Sequence, residues 1–97
     1  MRKAAPMTDA VTDNPAEHRF ELKAGDHLAL AYYTLAPGVV TFTHTEVPHE
    51  LSGQGIGSRL ARGALEAVRA RGLKVTPTCP FISAFVAKHA EFADLVA

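Results

Sequence analysis

The sequence holds one cysteine, Cys79, in 97 residues. A lone thiol can neither close an internal disulfide nor supply a structural zinc site of the multi-cysteine kind. A reducing, cytoplasmic setting is the expectation. Net charge is missing too: ten Lys and Arg offset ten Asp and Glu, so no global field draws the protein to nucleic acid or anionic lipid. No apolar run approaches the roughly 18 residues of a membrane span. A signal peptide is not expected, because Asp9, Asp13 and Glu17 break up whatever follows Arg2 and Lys3. What the chain does hold is apolar residues, 47% of the total, enough for one small domain with its own core.

Residues 1–17 contain Pro6 and Pro15 and show no period, which predicts a mobile tail ahead of a folded domain at 18–97. Alternation then begins. Phe20 and Leu22 interleave with Arg19, Glu21 and Lys23, the pattern of a half-buried strand. Turns at Gly25 and at Ala36-Pro37-Gly38 set off two more strands over 28–35 and 39–47. Connections this short make an antiparallel three-strand meander. Ile56, Leu60, Ala64, Ala67 and Val68 recur at helical spacing, and Gly72 closes the segment. A short strand over 73–77 follows. Strand, helix, strand is a crossover, so this last pair is expected to be parallel. Phe81, Ile82, Phe85 and Val86 open a C-terminal helix. The predicted class is α+β with a mixed sheet.

Charge is unevenly spread along the chain. Arg59, Arg62, Arg69, Arg71 and Lys74 fall in one short segment with Glu66 against them. The segment reads either as a solvated helix face or as a surface for a small anion.

The most informative stretch is Leu51-Ser52-Gly53-Gln54-Gly55-Ile56-Gly57-Ser58, between a strand and a helix. Glycine is costly in ordered backbone and makes sense where the chain bends sharply and another group approaches closely. At a helix N-terminus, unpaired N–H groups and the helix dipole favour a phosphate. A Walker-type loop is excluded because Ser58 and Arg59 follow Gly57 where Lys and Ser/Thr are needed. A dinucleotide fingerprint is excluded because three antiparallel strands come first. The stretch instead resembles the Gln/Arg-x-x-Gly-x-Gly/Ala turn of the GNAT superfamily, the acetyl-CoA-dependent N-acetyltransferases. Ser52, Gly55 and Gly57 take the first, fourth and sixth positions, and Ser52 departs from the usual Arg or Gln. His44-Thr45-Glu46-Val47-Pro48 and Pro77-Thr78-Cys79-Pro80-Phe81 extend the likeness to a family of very short stand-alone GNAT-like proteins.

The resemblance implies a minimal GNAT-like fold without two early helices, and acetyl-CoA or coenzyme A as cosubstrate. The pyrophosphate would lie on Ser52, Gly53, Gln54, Gly55, Ile56, Gly57 and Ser58, and the pantetheine arm along Glu46 and Val47. Arg59 and Arg62 would meet the 3′-phosphate. Pro77, lacking an N–H, should end strand pairing where the arm enters. The cysteine matching Cys79 is a proposed acetyl-accepting nucleophile in that family, and Pro80 places it at a helix start. His44 and Glu46 share one face of a strand, and either could take a proton from an amine or from Cys79. The alternatives are a packed cysteine, a structural imidazole and a solvated carboxylate. No metal is expected, since His44, His49, His89 and Cys79 show no ligand spacing. The acceptor would be an amine on a small molecule or protein, and the chain a monomer or weak dimer. The competing reading is a non-catalytic CoA or acyl-CoA module acting through a partner protein.

Overall fold

A computed structural model describes residues 11–51 and 53–97. Residues 1–10 of the expected tail and Ser52 of the glycine turn lie outside the described residues. In chain order the elements are β1 (Val11–Asn14), a 3-10 turn (Pro15–Glu17), β2 (Arg19–Ala24), β3 (His27–Ala36) and β4 (Val39–Glu46). A second 3-10 turn (His49–Leu51), α1 (Ile56–Ala70), β5 (Lys74–Pro77), α2 (Pro80–Lys88) and a 3-10 segment (Ala90–Leu95) complete the fold. The sheet runs β1-β2-β3-β4-β5, antiparallel throughout except for the parallel β4–β5 pair. This is an α+β fold with the expected meander and crossover.

One strand was not expected. Residues 11–17, read from sequence as tail, form β1 and the turn after it, paired to β2 from Val11↔Leu22 to Asn14↔Arg19. Asp13 fixes this strand. It accepts from the Tyr33 hydroxyl and from Arg71 at 2.8 Å, tying β1 to β3 and to the end of α1. Burial, and then the Asp13 carboxylate, push the Tyr33 phenol up to about 12.

Pairing and alternation give the sheet two unlike faces. Phe20, Leu22, Ala29, Ala31, Tyr33, Val40, Phe42 and Val75 are buried on the inner face. Against them α1 lays Leu60, Ala61, Ala64, Leu65 and Val68, whose i, i+4, i+5 spacing makes one apolar stripe. Alanines in that stripe let the helix sit close to the strands. The core continues into Ile82 and Phe85 of α2 and into Phe92 and Leu95. The chain end returns to β5, where the Ala97 N–H donates to the Val75 carbonyl at 2.9 Å.

Gly63 of α1 marks the contact with β1, because a Cβ there would run into the Val11 side chain. Alanine would gain about 1 kcal/mol of helix propensity, but overpacking costs about 1–3 kcal/mol. The clash therefore wins, and Gly63→Ala should lower the melting temperature by roughly 5 °C. Adding Val11→Ala should return part of that loss, since the two sites touch. A rise in melting temperature for Gly63→Ala alone would mean that β1 does not press on α1.

Candidate functional site

The chain leaves β4, turns through His49–Leu51 and enters α1 by way of the glycines. Gly53 and Gly55 hold φ of 78° and 72°, a left-handed conformation that side chains with a Cβ rarely adopt. Nothing lies within 4 Å of where either Cβ would be, so both glycines face open space. The turn is closed by its own backbone: the Leu51 N–H donates to the Pro48 carbonyl at 2.9 Å and the Gln54 N–H to the Leu51 carbonyl at 3.3 Å. The Gln54 side chain donates to the Glu50 carbonyl at 3.3 Å.

Gly55 caps α1 without offering it a side-chain acceptor, and the first turn contains no acidic residue. The Arg59 N–H is bonded to the Gly55 carbonyl at 3.1 Å. Helix geometry leaves the N–H groups of Ile56, Gly57 and Ser58 with no intrahelical acceptor. The positive end of the helix thus opens on the cleft with no carboxylate in its first turn to offset it. The cleft has a volume of about 300 Å³ and is walled by Val47, the glycine turn and Phe81. Gly57 is small for a different reason than the other two. A Cβ there would stand 2.7 Å from the tip of the Phe81 ring.

The strands part beside this cleft. Parallel pairing of β4 with β5 ends at Phe42↔Pro77, as the missing proline N–H requires. The Phe42 carbonyl instead accepts from the Thr78 hydroxyl at 2.8 Å and from the Cys79 N–H at 2.9 Å. Beyond this point β4 continues to Glu46 with no β5 residue alongside. A bulge lies at the same level. The β3–β4 register runs Tyr33↔Phe42 and then Tyr32↔His44, leaving Thr43 as the extra residue. An inserted residue reverses which side chains face the core. Phe42 faces inward above the bulge, and below it Thr45, opposite buried Ala31, does so.

That reversal separates the residues expected to act together. Cys79 caps α2 at 3% exposure, and its sulfur lies 3.2 Å from the Thr45 hydroxyl. His44 and Glu46 are brought together on the outer face, with Nε2 and Oε2 3.1 Å apart and the imidazole stacked on Tyr32. Tyr32 in turn accepts from Arg19, which also donates to Glu21. Neither His44 nor Glu46 is the residue against the Cys79 thiol, so the expected proton transfer from Cys79 to either is not supported. Of the pair expected along the pantetheine arm, Val47 lines the cleft, whereas the Glu46 side chain points to the opposite face.

The basic segment resolves mostly into contacts within the fold. Arg62 donates to Glu91 at 2.8 Å and lies over the rings of Phe85 and Phe92. Its hydrogen bond holds the Glu91 carboxyl below the usual range. Arg69 forks onto Asp94, Lys74 reaches the Asp94 carbonyl, and Arg71 binds Asp13. Arg62 is therefore committed to the C-terminal segment rather than turned to an anion. Arg59 lines a separate cleft with Arg62, Gly63 and Glu66.

Two site residues escaped the sequence reading. Phe81 reads as the first core position of a helix, yet it is 40% exposed and walls the cleft. Thr45, given no role from sequence, is turned inward by the bulge and meets Cys79. Among the described residues, no three His, Cys, Asp or Glu converge to hold a metal ion. No described helix is long and apolar enough to cross a membrane.

The family of GCN5-related N-acetyltransferases matches residues 19–95, nearly the whole described chain. The chain belongs to this family. The fold is also that of a GCN5-like protein from Staphylococcus aureus solved by NMR. That structure aligns with a TM-score of 0.70 and 25% sequence identity over 93% of this chain and 89% of its own. Among curated proteins none matches the sequence. Membership implies acetyl-CoA as cosubstrate and an acceptor for the acetyl group. In this family member the uncapped α1, the open glycines and the adjoining cleft are features a pyrophosphate fits. The fit rests on backbone N–H groups and does not require a basic side chain at the first position of the turn.

Proposed function

We propose that the protein transfers an acetyl group from acetyl-CoA to an amine, with the pyrophosphate on the N-terminus of α1 and the pantetheine arm along the end of β4 and Val47, which follows it. The single observation that carries this reading is the position of the cleft. It joins the uncapped end of α1 to Val47, the residue that follows the stretch of β4 with no β5 partner. An extended arm entering there can pair with strand backbone as an added strand would.

Cys79 is buried and does not line the cleft, but its sulfur meets Thr45, two residues before the cleft-lining Val47, and the proposed route brings the thioester to it. In the proposed route its sulfur attacks the acetyl carbonyl, forming a new C–S bond as the bond to the CoA sulfur breaks. The cysteine proton passes to the departing CoA thiolate. The acceptor amine then attacks the cysteine thioester, a C–N bond forms, the C–Sγ bond breaks, and an amine proton returns to the sulfur. Thr45, 3.2 Å from Sγ, holds the thiol in place by exchanging a hydrogen bond with it. His44 and Glu46 take no part in the first step, being on the outer face.

Binding alone is tested by thermal melting. A ligand that binds only the folded protein at a hundred times its Kd adds about 2.7 kcal/mol of stability, which should raise the midpoint of a domain this size by more than about 10 °C. An unchanged midpoint at millimolar CoA would contradict the proposed site.

A further inference from the structure

A second cleft, about 110 Å³, adjoins the first and shares Ser58 and Phe81 with it. Its far end is formed by Lys88 and His89. Phe81, Ala84, Phe85 and Lys88 stand at i, i+3, i+4 and i+7, one face of α2 turned toward the start of α1. From Phe81 to Lys88 is about 10 Å along the helix axis, two turns. A ligand with its pyrophosphate on Gly55–Ser58 can therefore pass the Phe81 ring and run along α2 toward Lys88. His89 is fixed as a wall of this cleft: its ring stacks on Phe85 with centroids 3.9 Å apart, and Nδ1–H donates to the Phe85 carbonyl at 2.8 Å.

Resting on the coenzyme A reading, we infer that Lys88 binds the phosphate on the 3′-oxygen of the ribose and thereby selects CoA over its dephosphorylated form. Lys88 has no ion-pair partner among the described residues, whereas Arg62 is held by Glu91 and two aromatic rings. An ammonium on a four-carbon stem meets a phosphate as a compact point charge and needs no fixed approach angle. The ribose sets its 3′-phosphate a few bonds from the pyrophosphate, within the reach of that stem from the second turn beyond Phe81.

Calorimetric titration with CoA and with 3′-dephospho-CoA tests the assignment. The natural protein should bind CoA about tenfold more tightly, the size of one charge-assisted contact at an exposed site. Lys88→Gln should lose that factor for CoA, leave dephospho-CoA within about twofold, and so bring the two affinities together; Lys88→Arg should restore the preference. Lys88 is exposed, and an unchanged melting temperature would show that Lys88→Gln is folded. A preference that survives in Lys88→Gln, or equal binding of both ligands by the natural protein, overturns the role of Lys88 while leaving the glycine-turn site intact. Failure of the natural protein to bind either ligand overturns the coenzyme A reading and this inference with it.

Discussion

Gly55→Val should abolish measurable CoA binding, a loss above about a hundredfold, in a protein that still folds. Valine at this position brings strain and obstruction, and the two are separable. A β-branched residue at φ 72° is strained by about 1–3 kcal/mol, small against the 5–15 kcal/mol of a typical domain. Nothing lies within 4 Å of the new Cβ, so no clash with the protein adds to that strain. The added methyl groups stand instead in the cleft, over the N–H groups that would hold a phosphate. Two companion variants distinguish obstruction from strain. Gly72→Ala imposes comparable strain at φ 71° away from the cleft and should keep full affinity. Gly55→Asn relieves much of the strain, because asparagine tolerates the left-handed region, yet should still obstruct. Titration calorimetry reads the binding and thermal melting the stability. Full CoA affinity in folded Gly55→Val would remove the turn from the site.

The second large effect is expected at Cys79. Incubating the protein with acetyl-CoA should leave one acetyl group on it, removable by hydroxylamine as a thioester is. Cys79→Ser should abolish this label, an alcohol being a far weaker nucleophile than a thiol near neutral pH, while CoA affinity changes by less than about threefold. Thr45→Val removes the hydroxyl 3.2 Å from the sulfur at nearly constant shape and should slow labelling by roughly tenfold, the worth of one hydrogen bond. His44→Ala should leave the labelling rate unchanged, because the bulge at Thr43 puts His44 on the other face. Intact-protein mass spectrometry separates these outcomes. Undiminished transfer to amines by Cys79→Ser would establish direct attack of the amine on acetyl-CoA and return Cys79 to a packing role.

The strands and helices from residue 19 onward were legible because their periods are regular and their turns carry glycine and proline. The turn ahead of α1 was legible as a turn because its glycines are the residues that take the positive φ seen at Gly53 and Gly55. What could not be read was set by partners distant in sequence. Val-Thr-Asp-Asn of β1 has the composition of a tail, and its place depends on Val11 meeting Gly63 and on Asp13 meeting Tyr33 and Arg71. Arg62 looked available for an anion because Glu91, its partner, is 29 residues away. The bulge left the least trace. Thr41-Phe42-Thr43-His44-Thr45-Glu46 alternates without a glycine or proline, so nothing in it announces that facing reverses at Thr43. That one residue decides whether His44 or Thr45 lies against Cys79.

The proposed coenzyme site places the CoA pyrophosphate on backbone N–H groups at the start of α1. Titration of ¹⁵N-labelled protein with CoA, followed by amide NMR, tests it most directly. The largest shift changes should fall on Gly53, Gly55, Ile56, Gly57 and Ser58 and extend to Val47, with the amides of β1 and β2 little moved. Saturable CoA binding that leaves the amides of Gly55, Ile56, Gly57 and Ser58 unshifted would contradict it.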